Sequence, residues 1–263
     1  MSEDRILVER HGRVLKVVNN DPKTKNALSW DFYDGFRKVV EEASADSGVG
    51  VIVLTGAGGF FCSGGNINGL KERSQADYDT RRSSVDKLHD MIHAMRNCPK
   101  PIVAAVDGGA AGAGASIMAA CDLIVGARDA YASVAYIKIG MTPDGGSTAF
   151  LGTALPRQTI SEMVFTGDRI PLERLHQLGV VNRLTDPGGA LDAAMDWAAQ
   201  IAEMPTRALA KGKALINSAR LADLKEQLDA EADGIAEALG GVEGAEGINA
   251  FLEKRSPDWS KTR

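Results

Sequence analysis

Two short runs of β-branched and apolar residues lie about fifty residues apart, and each is followed by a glycine-rich segment. Val51–Leu54 precedes Phe61–Ile67, and Pro101–Val106 precedes Asp107–Ala115. Such runs predict buried strands, and small residues after them leave backbone N–H groups accessible at the carboxyl edge of a sheet. Turns and close packing explain either glycine segment alone. Two N–H groups aimed at one point would instead bind an oxyanion.

The first 190 residues alternate between strand-like and helix-like patterns. Ile6–Val8 and Val14–Val18 predict two strands, and Ser29 is suited to be the N-cap of the helix that follows it. Further elements are predicted at 50–55 (strand), 70–96 (helical), 102–106 (strand), 113–120 (helix) and 123–125 (strand). This alternation favours parallel pairing with right-handed crossovers, so we expect an α/β fold.

The pattern becomes entirely helical after about residue 190. Four helices are predicted, with no strand-like run between them: Leu191–Met204, Arg207–Ser218, Leu221–Leu239 and Val242–Lys254. We therefore predict two domains, an α/β core over residues 1–190 and a helical domain over residues 191–263.

Composition excludes several classes of protein. A net charge of −5 argues against a nucleic-acid groove, which needs clustered Lys and Arg. Three irregularly spaced cysteines indicate neither a disulfide framework nor a zinc site, and we expect no metal. The charged start of the chain is unlike a signal peptide, and no apolar run approaches the roughly 18 residues of a membrane helix. We expect a cytoplasmic protein that does not interact with membranes.

Four blocks, taken in order, resemble the crotonase (enoyl-CoA hydratase/isomerase) superfamily over nearly the whole chain. They are Asn20–Leu28, Phe61–Ile67, Pro101–Asp122 and Asn249–Pro257. The resemblance implies a ββα spiral core that holds the CoA and acyl site, and a C-terminal helical trimerisation domain. It also implies an acyl-CoA substrate, no cofactor beyond the CoA moiety of that substrate, and a homotrimer or a dimer of trimers.

By this resemblance, the backbone N–H groups of Gly65 and Ala113 bind the thioester oxygen and stabilise an enolate. Hydratases of the superfamily hold a water between two glutamates, whose places are taken here by Ser116 and Tyr136. Hydroxyl groups are too weakly acidic to act as general bases near neutral pH without special activation. These two residues therefore argue against ordinary hydration.

One carboxylate, Asp144, follows closely in the sequence. It could simply cap the helix predicted from Gly145 onward. Two branches of the superfamily, however, place a catalytic aspartate here: the epoxyphenylacetyl-CoA and related enoyl-CoA isomerases, and the 4-chlorobenzoyl-CoA dehalogenases. In the dehalogenases a His and a Trp assist; His89 resembles that histidine, while Tyr136 stands in the place of the Trp. His89 is then either an active-site wall residue or an ordinary helix residue.

The resemblance also implies a set of CoA-binding residues. These are Lys23, Lys25, Ala27, Ser63, Gly65, Ile67, Phe251 and Lys254. Each lysine could equally be a solvated charge.

The leading hypothesis is a CoA-thioester isomerase in which Asp144 moves a proton between two carbons of the acyl group. The alternatives are an enoyl-CoA hydratase in the broad sense, an aspartate-nucleophile enzyme such as a dehalogenase, and a non-enzymatic RNA-binding homologue. A pI near 5.5 and the lack of a basic stripe argue against RNA binding. The sequence leaves the acyl group open.

Overall fold

Strands and helices alternate through most of the chain. The computed structural model describes residues 4–220 and 224–259. The strands are β1 (Ile6–His11), β2 (Val14–Asn19), β3 (Val51–Gly56), β4 (Ile102–Val106), β5 (Gly109–Ala111), β6 (Leu123–Ala127), β7 (Tyr131–Ser133), β8 (Ile170–Pro171) and β9 (Arg183–Thr185). The helices are α1 (Trp30–Ala45), α2 (Ile67–Ser74), α3 (Tyr78–Asn97), α4 (Ala113–Ala120), α5 (Ser147–Ala154), α6 (Arg157–Thr166), α7 (Leu172–Gln177), α8 (Ala190–Ala202), α9 (Thr206–Arg220), α10 (Leu224–Gly240) and α11 (Val242–Leu252). The predicted α/β class is confirmed.

A six-stranded sheet forms the centre of the fold, in the order β1-β2-β3-β4-β6-β9. β1 pairs antiparallel with β2, and the remaining pairs are parallel. β3 and β4 lie next to each other, with Val53 paired to Val103, and β4 is fully buried. The two glycine-rich segments therefore leave the sheet from neighbouring strands. A second, three-stranded sheet, β5-β7-β8, continues from the second segment.

Different helices cover the two faces of the large sheet. On one face α8 presents small side chains, Ala194, Ala198 and Ala202, to the valines of the sheet. On the other face α1, α3 and α4 contribute the larger hydrophobic core, which includes Phe36 and Met91. We predicted α8 as part of the helical domain. In the structure it packs against the large sheet.

The remaining C-terminal helices follow the predicted pattern closely. The range predicted from Leu221 corresponds to α10, and its first three residues lie outside the described part. α10 packs along α3, where Arg82 forms ion pairs with Asp229 (3.1 Å) and Asp233 (2.6 Å). Among the residues that the structure describes, no helix is long and apolar enough to cross a membrane. The domain division and the trimer stay predictions.

Asn26 joins the loop that precedes α1 to the loop that follows β3. Asn26 is fully buried and has a left-handed backbone conformation (φ 58°). The side-chain oxygen accepts from the Asp21 N–H, and its amide donates to the carbonyls of Ala57 and Phe60. The adjoining backbone pairs with the first glycine-rich segment, since the Ser63 N–H donates to the Lys25 carbonyl at 3.0 Å. This one side chain thus fixes the position of two segments.

We expect Asn26→Ala to reduce the free energy of unfolding by about 2–4 kcal/mol, because it leaves one partly buried donor and two partly buried acceptors unpaired. Alanine also tolerates the left-handed backbone less well than asparagine does. Urea unfolding followed by circular dichroism measures the change. Asn20→Ala is the control: it removes one exposed bond to the Asp4 carbonyl and should have an effect below about 1 kcal/mol. Equal effects of the two substitutions would contradict the role given to Asn26.

Candidate active site

A cavity of about 640 Å³ opens between the two glycine-rich segments. Its wall combines backbone from both segments with side chains of α1, α2, α10 and α11. The sequence-predicted residues that line it are Lys25, Ala27, Ser63, Gly65, Ile67, Ala113, Tyr136, Asp144 and Phe251. The fold thus brings most of the predicted site to one place.

The two glycine-rich segments run side by side. The Cys62 N–H donates to the Gly109 carbonyl at 3.2 Å, and the Ala111 N–H donates to the Cys62 carbonyl at 2.9 Å. Glycine is needed at position 64, because φ is 93° and a Cβ there would lie 2.7 Å from the Ala111 carbonyl oxygen. Position 114 also requires glycine, since a Cβ would lie 2.6 Å from the Cys62 carbonyl oxygen. The segments approach this closely because side chains are absent.

The approach leaves two backbone donors unpaired. Within the described part of the chain, the N–H groups of Gly65 and Ala113 donate no hydrogen bond, and both residues line the cavity. Ala113 is the first residue of α4, so the positive end of that helix dipole points at the same place. Two free donors and a helix N-terminus can together stabilise a negatively charged oxygen.

Asp144 lies in the turn before α5 and is buried, with 8% of its surface exposed. The Tyr136 hydroxyl donates to Asp144 Oδ1 at 2.6 Å. The expected alternative, in which Asp144 caps the following helix, is wrong: Gly146 occupies the N-cap position of α5, and no side chain caps it. The left-handed backbones of Gly145 (φ 64°) and Gly146 (φ 81°) let the turn bend so that the carboxylate lines the cavity.

Ser116 and Tyr136, at the two places that hydratases fill with glutamate, hold this turn. The Ser116 hydroxyl donates to the Asp144 carbonyl at 2.8 Å and lies 3.1 Å from the Tyr136 hydroxyl. Ser116 is completely buried, and Tyr136 is nearly so. Burial and the neighbouring Asp144 carboxylate raise the Tyr136 pKa well above its ordinary value, so the phenol stays protonated and acts as a donor.

A second buried carboxylate, Glu231 of α10, binds the other side of the same turn. It accepts hydrogen bonds from the Gly146 N–H at 2.6 Å, from the Thr148 N–H at 3.2 Å and from the Thr148 hydroxyl. It does not line the cavity. Burial raises its pKa, although these hydrogen bonds oppose the rise. Sequence reasoning missed Glu231, because nothing in a polar helical repeat distinguishes it from its exposed neighbours.

The surroundings of Asp144 raise its pKa to about 7. Burial is the main cause, and the negative charge of Glu231 adds to it. The hydrogen bond from Tyr136 and the positive charge of Arg73 act in the opposite direction. A carboxyl group with a pKa near 7 is a far better general base than an ordinary aspartate and is still substantially ionised at neutral pH.

The residues predicted to bind CoA divide into two groups. Lys25, with a left-handed backbone, lines the cavity, and its Nζ lies 5.2 Å from the centre of the Phe60 ring. Phe251 of α11 lines the cavity within the same chain. Lys23 and Lys254 do not line it, and both are exposed. The structure therefore brings only the first group to the cavity.

His89 also lies apart from the cavity, contrary to its predicted place in the active-site wall. It is buried, and its Nε2 has no hydrogen-bond partner. Burial lowers its pKa to about 4, and the positive charge of Arg82 contributes to the shift. A neutral imidazole outside the cavity has no contact through which to polarise Asp144.

Other lining residues were not predicted at all. Leu70 and Arg73 come from α2, Tyr33 from α1, and Ile235 from α10. Each belongs to a helix whose sequence indicates only an amphipathic pattern, and only the folded chain turns these positions towards the cavity. In the described ranges, no group of three or more His, Cys, Asp or Glu side chains could hold a metal ion.

Known proteins are similar in sequence to this chain over almost their whole length. Residues 9–262 match the family described as enoyl-CoA hydratase/isomerase. The 1,2-epoxyphenylacetyl-CoA isomerase of Escherichia coli is 30% identical over 94% of this chain and 95% of its own. The 2,3-dehydroadipyl-CoA hydratase of the same organism is also 30% identical, over 98% of this chain and 99% of its own.

Solved structures agree with the sequence comparison. An enoyl-CoA hydratase from Mycobacterium avium subsp. paratuberculosis superposes with a TM-score of 0.87 at 30% identity, covering 97% of this chain and 98% of that one. One from Polaromonas gives 0.80 at 38% identity, with 96% and 98% covered. The chain therefore belongs to the enoyl-CoA hydratase/isomerase family of the crotonase superfamily, whose members act on acyl-CoA thioesters.

Proposed function

We propose that this protein is an acyl-CoA isomerase in which Asp144 moves one proton along the acyl group while the Gly65 and Ala113 N–H groups hold the thioester oxygen. The observation that carries the proposal is the composition of the cavity wall. Among the described residues that line the cavity, Asp144 is the only carboxylate, and it is buried. The N–H groups of Gly65 and Ala113, which donate no hydrogen bond within the described chain, line the same cavity.

One carboxylate is sufficient for a 1,3 proton shift. Ionised Asp144 takes a proton from the carbon next to the thioester carbonyl of an enoyl group, and the electron pair of the broken C–H bond delocalises onto the carbonyl oxygen. The enolate oxygen that forms accepts hydrogen bonds from Gly65 and Ala113. The same carboxyl group then returns the proton to a different carbon, the carbonyl re-forms, and Asp144 is ionised again. The reaction consumes no water and no oxidant, and no group leaves the substrate.

Hydration of a double bond ordinarily needs a second acid or base to handle the added water. Ser116 and Tyr136 are engaged with the Asp144 turn, and Glu231 is held by three donors outside the cavity wall. These contacts favour isomerisation over hydration. Relatives described as hydratases keep hydration as an alternative outcome of the experiment below.

An aspartate nucleophile of the dehalogenase type is the other enzymatic alternative. In that branch a histidine assists the aspartate, and no histidine is among the described residues that line the cavity, because His89 lies elsewhere. This favours a base over a nucleophile. The homotrimer and the cytoplasmic location remain our expectations for the working enzyme.

We expect Asp144→Asn to abolish isomerisation and hydrogen exchange while leaving CoA-ligand affinity nearly unchanged, because asparagine keeps the shape and loses the base. Purified protein is incubated in deuterated water with a panel of enoyl- and epoxyacyl-CoA thioesters, and mass spectrometry follows exchange and products. Asp186→Asn, at an exposed site, is the control and should behave like wild type.

Three outcomes of that experiment would contradict the proposal. Exchange at the wild-type rate in Asp144→Asn would place the base elsewhere. Rapid hydration of crotonyl-CoA by the wild type, at roughly 1–1000 turnovers per second, would identify a hydratase. Transfer of oxygen-18 from labelled Asp144 into a product acid would identify a nucleophile.

We expect Ala113→Pro to reduce the exchange rate by about 100- to 1000-fold, since it removes one oxyanion donor. Proline is well tolerated at the first position of a helix, which is where Ala113 lies, so the fold should survive. Ala113→Gly keeps the N–H and is the matched control, with a rate near wild type. Circular dichroism checks the fold of both variants. A fully active, folded Ala113→Pro would rule out that N–H as a donor.

We expect kcat/KM to fall as the pH drops below about 7, because the base must be deprotonated and the pKa of Asp144 is about 7. Glu231→Gln removes a negative charge that raises this pKa, so the midpoint should move to lower pH. Tyr136→Phe removes a hydrogen bond that lowers it, so the midpoint should move to higher pH. Carbon-13 NMR of labelled aspartate measures the titration directly. Midpoints that move in the same direction in both variants would contradict this account.

A further inference from the structure

Arg73 is a charged side chain of the cavity wall. It lies near the end of α2, and no described residue forms a hydrogen bond or ion pair with its guanidinium. Its Nε is buried without a partner, although a buried donor that stays unpaired is costly. Glu72, the neighbouring acid on the same helix, is exposed and does not pair with it. The protein thus places an uncompensated positive charge beside the substrate space.

Lys87, a cation next to Arg73, differs from it in having an acidic partner. Arg73 and Lys87 both lie over the Trp30 ring, each 5.2 Å from its centre. Lys87 Nζ also pairs with Asp34 at 2.5 Å. The same aromatic ring therefore supports two cations, of which Lys87 has an acidic partner and Arg73 has none within the described chain.

The Tyr33 hydroxyl is a second donor in the wall of the same cavity that has no partner within the described ranges. Tyr33 is buried, its ring packs edge-on against Trp30, and none of the described residues forms a hydrogen bond with its hydroxyl. Burial and the nearby Asp144 carboxylate raise its pKa, which keeps the hydroxyl protonated. The Arg73 charge acts in the opposite direction, lowering the pKa of Tyr33 and of Asp144, and all three residues line the same cavity.

Arg73 and Tyr33 line the same cavity as Gly65, Ala113 and Asp144. They also line a second cavity of about 320 Å³, together with Trp30 and the exposed Glu72. An acyl group whose thioester oxygen lies on Gly65 and Ala113 would therefore share its binding space with the guanidinium and the phenol. An apolar end would leave both donors unpaired and dehydrated, which is unfavourable.

We propose that Arg73 and the Tyr33 hydroxyl form a subsite for a carboxylate at the far end of the acyl group, so that the substrates are CoA monothioesters of dicarboxylic acids. The assignment rests on the proposed function for the position of the thioester. A guanidinium matches a carboxylate with two parallel hydrogen bonds, and the phenol supplies a third. The Arg73 charge also offsets the repulsion between such a carboxylate and ionised Asp144.

A CoA phosphate is the competing anion, and position argues against it. The cavity-lining lysine predicted to meet the CoA pyrophosphate, Lys25, belongs to the loop that precedes α1. Arg73 instead belongs to α2 and lines the cavity together with Asp144 and Tyr33. Binding of CoA itself separates the two possibilities.

The test compares equilibrium binding of saturated acyl-CoA pairs by isothermal titration calorimetry. Each pair has the same chain length, at four, six or eight carbons, and ends in either a methyl group or a carboxylate. We expect the wild type to bind the carboxylate member about 10- to 100-fold more tightly at one or more lengths, as expected for a charge-assisted hydrogen-bonded pair. Arg73→Gln should lose this preference, and Tyr33→Phe should lose part of it. Binding of CoA alone should stay unchanged in both variants.

Lys71→Gln is the matched control, because it removes the same charge from an exposed position of the same helix that does not line the cavity. It should keep the wild-type preference. Absence of any preference in the wild type would overturn the subsite, as would equal weakening of CoA and of every acyl-CoA by Arg73→Gln. Saturated ligands need no turnover, so this result is independent of the Asp144→Asn exchange experiment. A failure of the subsite is thereby distinguishable from a failure of the proposed reaction.

Discussion

The distance between the oxyanion donors and the base is fixed by one buried helix, α4. Its first residue, Ala113, supplies one N–H of the donor pair, and one turn later Ser116 binds the Asp144 carbonyl at 2.8 Å. All but one of the residues of α4 are buried, so the helix cannot shift without disturbing the core. Gly114 lets the same helix lie directly against Cys62. One rigid element therefore carries the Ala113 N–H and also binds the backbone of Asp144.

The sequence was most informative where local chemistry alone determines the structure. The Val51–Leu54 run, the β4 strand and the start of α4 at Ala113 were placed almost to the residue. Strong β-branched runs and glycines at obligatory close contacts depend little on distant parts of the chain. The positions of the Gly65 and Ala113 N–H groups were predictable for the same reason, because backbone donors require only the right turns; their oxyanion role stays a prediction.

The environment of Asp144 was not predictable in this way. Its sequence context fits a helix cap equally well, and only the fold shows that Gly146 takes that place. Tyr136 is eight residues away from Asp144 in the chain, but Glu231 is 87 residues away and belongs to a different helix. The pKa of a buried carboxyl group depends on every charge nearby, so no local pattern can supply it. His89 illustrates the converse: its sequence context suggested a role, but it is buried outside the cavity wall.

Glu231 makes the catalytic turn depend on the C-terminal helices. Through Glu231, α10 holds the N–H groups of Gly146 and Thr148, which would otherwise be unpaired donors at the start of α5. A charged acceptor at a helix N-terminus is stabilising, whereas its charge disfavours ionisation of Asp144. The same interaction thus orders the turn and keeps the pKa of the base close to neutrality. Because α10 is also tied to α3 through Arg82, a change in helix packing there would alter both the geometry and the basicity of the site.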